Sequence, residues 1–369
     1  MRNFLFVFNS RIAKHGSFED FMIELGRQIG EMGGRAGFVF PAIIDESVAG
    51  KIRAVGEVFI TGGDWRGKDG IDGILRVVET FGADVVNTHF CDFNSFFHFY
   101  KRLRGKGVRG VYHYHGEILP LNEMAWWKRF ASSLRYFSWY ADLIVTVSKA
   151  NRRFLEFLNV MPPIKVVYNG IDLERFDGDS VDCGLLARYG IGKDEDYICY
   201  LGSLNEERKR VALLLEIFKL IRDKSNVKLL VMGKGDVDRF KKIADSLGVG
   251  DSVVFTGLMK DYPYGLIKGA KVFVSASKQE SFGLVFAEAF LLGAPVVACR
   301  VGGIPEVVID GNSGFLLEKD DKAGFANAVL KLLNDDRLRK DMADWGADFV
   351  KSNFALKDRV KELLEILNN

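Results

Sequence analysis

Cysteine is scarce, with four in 369 residues, at positions 91, 183, 199 and 299. No two have the C-x-x-C spacing of a zinc or redox motif, so the expectation is buried, reduced thiols in a cytoplasmic protein. Long apolar runs are missing too: none approaches the roughly 18 residues that span a bilayer. The opening Met1–Asn9 has five apolar residues behind Asn3, fewer than the roughly 7–15 of a secretory leader, and reads as a first strand. Charge of either sign is nearly balanced, at a net +2, which argues against a general nucleic-acid binder. Histidine stops early: His15, His89, His98, His113 and His115 are all five. Repeats and low-complexity segments are absent.

What is present is ordinary for a globular protein, 48% hydrophobic and 27% charged. A chain of 369 residues exceeds the roughly 250–300 that one core supports, so two domains are expected. Residues 101–165 carry 12 basic and 4 acidic side chains, a local face suited to a polyanion or a membrane surface.

Short apolar runs alternate with helix-like stretches throughout. Phe4–Phe8, Gly37–Phe40, Val58–Thr61, Val85–Thr88, Val111–Tyr114, Leu143–Val147 and Val166–Tyr168 read as one series of strands. Ile198–Leu201, Lys228–Met232, Ser252–Phe255, Val272–Ser275, Val296–Cys299 and Phe315–Leu317 read as a second. Near-continuous apolar strands separated by amphipathic segments such as Phe18–Met32 and Ala212–Arg222 mean parallel sheets covered on both faces. The fold class is therefore α/β, with two doubly wound domains, a cleft between them as the default site, and a turn-rich linker at Asp177–Asp182. Phe354–Leu367 reads as an amphipathic tail helix.

The richest stretch is Val272–Glu288, a buried strand, a polar loop and a mostly apolar helix over Gly283–Leu292. The first amides and positive end of such a helix suit a diphosphate. Glu280 precedes it and Glu288 follows eight residues later, about 80° round a helix, so both carboxylates can serve sugar and ribose hydroxyls. The plainer alternative makes Glu280 a helix cap and Glu288 a satisfied core acid. Lys209, flanked by Arg208 and Arg210 behind the strand ending at Gly202, can reach a phosphate or form a solvated face. His113 and His115 share a strand face, but a metal site needs ligands from later strands, and no histidine follows. His115-Gly116 can instead place one imidazole at a strand end, or be a core histidine. Gly62–Lys68 has P-loop spacing, yet Asp69 stands where Ser or Thr is needed and no apolar helix is evident behind it; a glycine-rich surface loop is the better reading.

Met124–Tyr140 holds Lys128, Arg129 and Arg135 and no acid, with Trp127, Phe130, Leu134 and Phe137 in one helical stripe. It reads either as a core helix with a solvated basic edge or as an interfacial helix on anionic lipid.

These pieces together resemble the retaining glycosyltransferases of the GT-B fold, in the large family numbered four (glycosyl transferases group 1). The resemblance rests on Glu280-x7-Glu288 within Ser-Phe-Gly, on Gly302-Gly-Ile-Pro-Glu306 and Gly311-Asn-Ser-Gly314, and on Asn169-Gly-Ile-Asp172 and Ala141-Asp142 through Val147-Ser148. It implies an acceptor-side domain over 1–180, a nucleotide-sugar-binding domain over 190–345, and a helix over 350–369 that packs back on the first. It implies that Glu280 binds donor-sugar hydroxyls, Glu288 the ribose, Lys209 a phosphate, and the amides of Ser281, Phe282, Gly283, Leu284 and Val285 the diphosphate. His115 would stand by the transferred sugar and Gly16 would approach the donor phosphate or acceptor. Where the family usually has Arg after the phosphate-strand glycine, this chain has Ser203, with Arg208 as a neighbouring cation. The implied reaction moves a hexose, commonly from a UDP-sugar, to a glycan or lipid-linked acceptor with retention. It needs no cofactor and no metal, takes place in the cytoplasm or peripherally at the inner face of the membrane, and uses the leaving diphosphate to help deprotonate the acceptor. An epimerase or phosphorylase on the same fold, or a non-catalytic nucleotide-sugar-binding subunit, are the alternatives.

Overall fold

The apolar runs form two parallel sheets. In the first, β1 (Asn3–Phe8), β2 (Arg35–Phe40), β3 (Glu57–Ile60), β4 (Val85–His89), β5 (Arg109–Tyr114), β6 (Leu143–Thr146) and β7 (Ile164–Val166) lie in the order β3-β2-β1-β4-β5-β6-β7. In the second, β8 (Tyr197–Leu201), β9 (Lys228–Met232), β10 (Val253–Gly257), β11 (Phe273–Ser275), β12 (Val296–Cys299) and β13 (Gly314–Leu317) lie in the order β10-β9-β8-β11-β12-β13. The computed structural model describes residues 2–11, 16–62, 65, 68–91, 93–116, 140–176, 181–259 and 262–369. The two Rossmann-like parallel sheets are those expected; β7 is displaced furthest, two residues ahead of the Val166–Tyr168 reading, while β3 and β10 differ from their readings by one or two residues.

The alternation along β1 shows why these runs become buried strands. Phe4, Phe6 and Phe8 enter one core while Leu5 and Val7 enter the other, because helices cover both faces. The chain divides into two compact units, Met1–Asp172 with Ala355–Asn369, and Leu173–Phe354. The tail helix Leu356–Asn368 closes the core of the first unit, burying Val360, Leu363, Leu364 and Leu367 beside Leu25 and Ile29. Its last turn is held by Arg109, whose guanidinium donates to the Leu367 carbonyl at 2.8 Å. At its start, Leu356 N–H donates to Ile171 O at 3.0 Å.

Some expectations need correction. An amphipathic helix, Lys68–Phe81, does start directly behind the glycine-rich Gly62–Lys68 stretch and buries Ile71, Ile74, Leu75 and Val78. Gly70 and Gly73 within it disguise the period. Residues 63, 64, 66 and 67 of that loop lie outside the described residues. Three cysteines are buried, but Cys183 is exposed. The basic aromatic segment Met124–Tyr140, apart from Tyr140, and residues 177–180 of the linker also lie outside the described residues. Among the described residues, no helix is long and apolar enough to cross a membrane.

In each sheet the winding reverses at one place, between β1 and β4 and between β8 and β11. Loops leaving the carboxyl ends of strands at such a reversal diverge and leave a crevice, where open α/β sheets place their ligands. The candidate residues gather at these two places.

Candidate functional site

In the second unit the loops after β8 and β11 carry the charged groups. Asn205 caps the short helix Glu206–Lys209 by accepting from Arg208 N–H at 3.0 Å. The loops are tied together by Lys278 N–H donating to Arg208 O at 2.7 Å. That brings Lys209 Nζ onto the Glu280 carboxylate as an ion pair whose side chains are only 19% and 18% exposed. Gly302, at φ +53°, presses on the same loop: a Cβ there would lie 2.0 Å from Glu280 O. Gly303 N–H donates to that carbonyl at 2.9 Å. Only glycine permits both the backbone angle and the approach, so the Gly302-Gly303 turn fixes where Glu280 stands.

The helix Leu284–Leu291 begins at Gly283, which adopts φ +94°. No side chain caps it and its first turn has no acidic residue. Its N-terminal amides and dipole are thus not neutralised from within the helix, as an anion-binding end requires. Glu280 lies in the loop and is neither a cap nor on the helix, so the 100°-per-residue spacing to Glu288 does not apply. Glu288 is on the helix, 6% exposed, and accepts from the Tyr262 hydroxyl. Burial first, and then the Glu288 charge, push the Tyr262 phenol well above its usual range. Tyr262 carries no signal in the sequence beyond an aromatic in a loop.

Of the cations beside Lys209, Arg210 is turned elsewhere. Its backbone is left-handed at φ 52°. Its guanidinium donates to Lys319 O at 2.6 Å and to Asp320 at 2.7 Å, so Arg210 is committed to the loop after β13. Ser203 is exposed, and its carbonyl accepts from the Tyr200 hydroxyl at 2.9 Å.

In the first unit, Gly16 is the extended N-cap residue of the helix Ser17–Glu31, its carbonyl accepting from Glu19 N–H at 3.0 Å. Residues 12–15, with His15, lie outside the described residues. That helix sets Phe18 against His89 and His115, with ring centroids 6.0 and 6.1 Å apart. His115 follows β5, and His113 pairs in register with His89 at the end of β4. The three imidazoles cluster, with one nitrogen from each within 4.8 Å of the others. His89 is the member that the sequence reading left out, because it lies on the preceding strand β4 while the metal argument asks for ligands from strands after His115. Its place at the carboxyl end of the strand run Val85–Thr88 was the available signal. Phe90, at φ +57°, stacks on His115 at 4.3 Å; a left-handed backbone at a bulky residue is strain of the kind concentrated at functional sites. Burial pushes His115 down to about 3 and holds His89 and His113 well below the usual histidine value, so all three are neutral at physiological pH.

Residues 19–175 match the model of Glycosyltransferase Family 4, and residues 186–348 match that of Glycosyl transferases group 1. Among curated proteins, N-acetyl-alpha-D-glucosaminyl L-malate synthase of Bacillus anthracis is 34% identical over 194 residues, covering 52% of this chain and 50% of the relative. The GDP-mannose-dependent alpha-(1-6)-phosphatidylinositol monomannoside mannosyltransferase of Mycolicibacterium smegmatis is 29% identical over 239 residues, covering 62% of each. The matches thus span half to about three fifths of these relatives' length. Among solved structures, HepE of Anabaena in complex with UDP and glucose superposes with a TM-score of 0.81 over all of both chains, at 21% identity; that likeness concerns the fold.

Proposed function

Since this chain belongs to the glycosyl transferases group 1 and has the two Rossmann-like sheets of the GT-B fold, we propose that it transfers a hexose from a nucleoside diphosphate sugar to an acceptor hydroxyl with retention of configuration. The observation that carries the reading is the uncapped helix start at Gly283, set beside the Lys209–Glu280 pair and Glu288. The helix amides and Lys209 hold the diphosphate and stabilise the charge it gains on leaving. Glu280 takes sugar hydroxyls and Glu288 the ribose. Arg208 and Ser203 line the loop after β8, and His115 and Gly16 act on the side of the transferred sugar and acceptor. No metal is required, because the helix end and Lys209 supply the positive charge.

A UDP-sugar is the proposed donor, consistent with the UDP and UDP-glucose complexes of HepE. A lipid-linked or cell-envelope acceptor, reached at the inner face of the membrane, is proposed from the basic aromatic stretch Met124–Tyr140. The mannosyltransferase relative carries a phosphatidylinositol acceptor in its name.

The test is a panel of nucleotide sugars scored by thermal shift. A donor at 100 times its Kd stabilises by about 2.7 kcal/mol. Turnover of the donor found is then followed with and without candidate acceptors and with EDTA. No stabilisation by any nucleotide sugar overturns the reading. Loss of turnover on chelation, restored by Mn²⁺ or Mg²⁺, removes the metal-free part. Epimerised sugar without acceptor, or donor binding without diphosphate release, replaces transfer by one of the two alternatives.

A further inference from the structure

The histidine cluster has a feature that the glycosyltransferase reading does not use. His89 Nδ1 and His115 Nε2 are 3.0 Å apart, within hydrogen-bond range. The two ring planes are tilted by 32°, with centroids 5.2 Å apart. His89 is fully buried among Phe6, Phe8, Phe18 and Phe21. Its other nitrogen, Nε2, is buried with no partner among the described residues.

A neutral imidazole carries one N–H, on one nitrogen or the other. If His89 bore it on Nε2, a buried N–H donor would be left with no acceptor, the rarest and most costly of unsatisfied groups. If it bears it on Nδ1, the N–H is used on His115 and only a bare ring nitrogen faces the phenylalanines. The second arrangement wins. His115 Nε2 is then the acceptor, and the proton of His115 resides on Nδ1.

We infer that His89 is a positioning residue: by donating from Nδ1 to His115 Nε2 it fixes the ring and tautomer of His115, making that residue a hydrogen-bond donor through Nδ1 and not a base. The inference rests on the reading of His115 as the residue beside the transferred sugar. With its proton on Nδ1 and its Nε2 lone pair engaged by His89, His115 has no free nitrogen to act as a base, so removal of the acceptor proton is left to the departing diphosphate. Three imidazoles together also suggest a metal ion, but the 3.0 Å contact sets His89 Nδ1 and His115 Nε2 on each other as donor and acceptor, and metal retention is tested directly.

The test is long-range ¹H–¹⁵N correlation of the full chain labelled at histidine, with His115→Gln identifying the His115 resonances. The expected spectrum has His89 and His115 both protonated at Nδ1. In His89→Ala the fixed pattern of His115 is lost and kcat falls roughly tenfold, one hydrogen bond's worth, with little change in the donor KM. In His89→Asn both are restored, because the amide N–H occupies the position of Nδ1. An Nε2-protonated His115 in the wild type overturns the inference. So does an unchanged His115 pattern in His89→Ala, or one equivalent of Zn²⁺ or Ni²⁺ retained by wild type and lost in that variant. The spectra need no substrate. If no nucleotide sugar binds, the glycosyltransferase reading fails while the tautomer is still decided.

Discussion

Lys209 and Glu280, 71 positions apart in the chain, neutralise each other in a site where less than a fifth of either side chain is exposed. Each is proposed to bind the donor, so the diphosphate and sugar must take over contacts the pair now makes with itself. The prediction is that Lys209→Ala and Glu280→Gln each lower transfer by about 10²–10³ while the circular dichroism spectrum stays native. Wild-type turnover in either variant, measured with a donor from the thermal-shift panel, sinks the assignment.

The residues that hold this loop make a separate prediction. Gly302→Ala adds a Cβ 2.0 Å from the Glu280 carbonyl at a φ of +53°. The Glu280 loop must move, so stability should fall by about 2–4 kcal/mol and transfer should fall further than the unfolding explains. Gly311→Ala is the control: φ is +79° but the added Cβ meets nothing within 4 Å, and about 1–2 kcal/mol is expected with no change in transfer. Urea midpoints and turnover compare the two. Equal effects would show that backbone angle alone matters at Gly302.

Much of this architecture is readable along the chain, and the reason is local. A strand buried on both faces announces itself as a short run of Val, Ile, Leu and Phe, and the loop-to-helix passage through Glu280 and Gly283 is contiguous. What escapes depends on which strands become neighbours. His89 meets His113 only because β4 lies beside β5 in register. Tyr262 reaches Glu288 from a loop 26 positions away. Arg210 looks like a phosphate ligand by spacing, and is claimed by Asp320, 110 positions on. One-dimensional spacing carries none of these pairings.

Tyr262 gives the next prediction. Its hydroxyl donates to Glu288, a carboxylate 6% exposed on the helix proposed to meet the ribose. Tyr262→Phe removes that donor and should destabilise the free protein by about 1–3 kcal/mol. Ribose hydroxyls can supply the missing bond, so the same donor should raise the melting temperature more in the variant than in wild type. An equal or smaller shift places the ribose away from Glu288.

The proposed membrane contact is tested with vesicles. Met124–Tyr140 holds Lys128, Arg129 and Arg135 with no acidic residue. Each basic residue near an anionic surface contributes about 1 kcal/mol, so losing three should nearly abolish binding. Wild type is expected to co-sediment with anionic and not with neutral vesicles at low salt, and a Lys128/Arg129/Arg135→Gln variant with neither. Failure of wild type to sediment, or equal binding by the variant, makes an acceptor away from the membrane the better assignment.

The histidine cluster should make the protein sensitive to mild acid. In the folded state burial pushes His115 down to about 3, and holds His89 and His113 well below the usual value. In the unfolded chain a histidine takes up its proton near pH 6.5. Below that pH the unfolded state binds more protons than the folded one, so stability must fall as pH falls. The contribution is fully present above about pH 6.5 and is lost progressively towards the folded values, about 3 for His115. Each histidine adds a slope of up to about 1.4 kcal/mol per pH unit. Between pH 6 and 5 few carboxylates titrate, so the histidines dominate there. The expected result is a urea midpoint that is flat from pH 8 to 7 and drops steeply from 6.5 to 5. In His113→Asn one proton is removed from the balance and the slope should be shallower by about a third. A midpoint constant down to pH 5 would mean that the three rings take up protons in the folded state, and the neutral cluster would have to be abandoned.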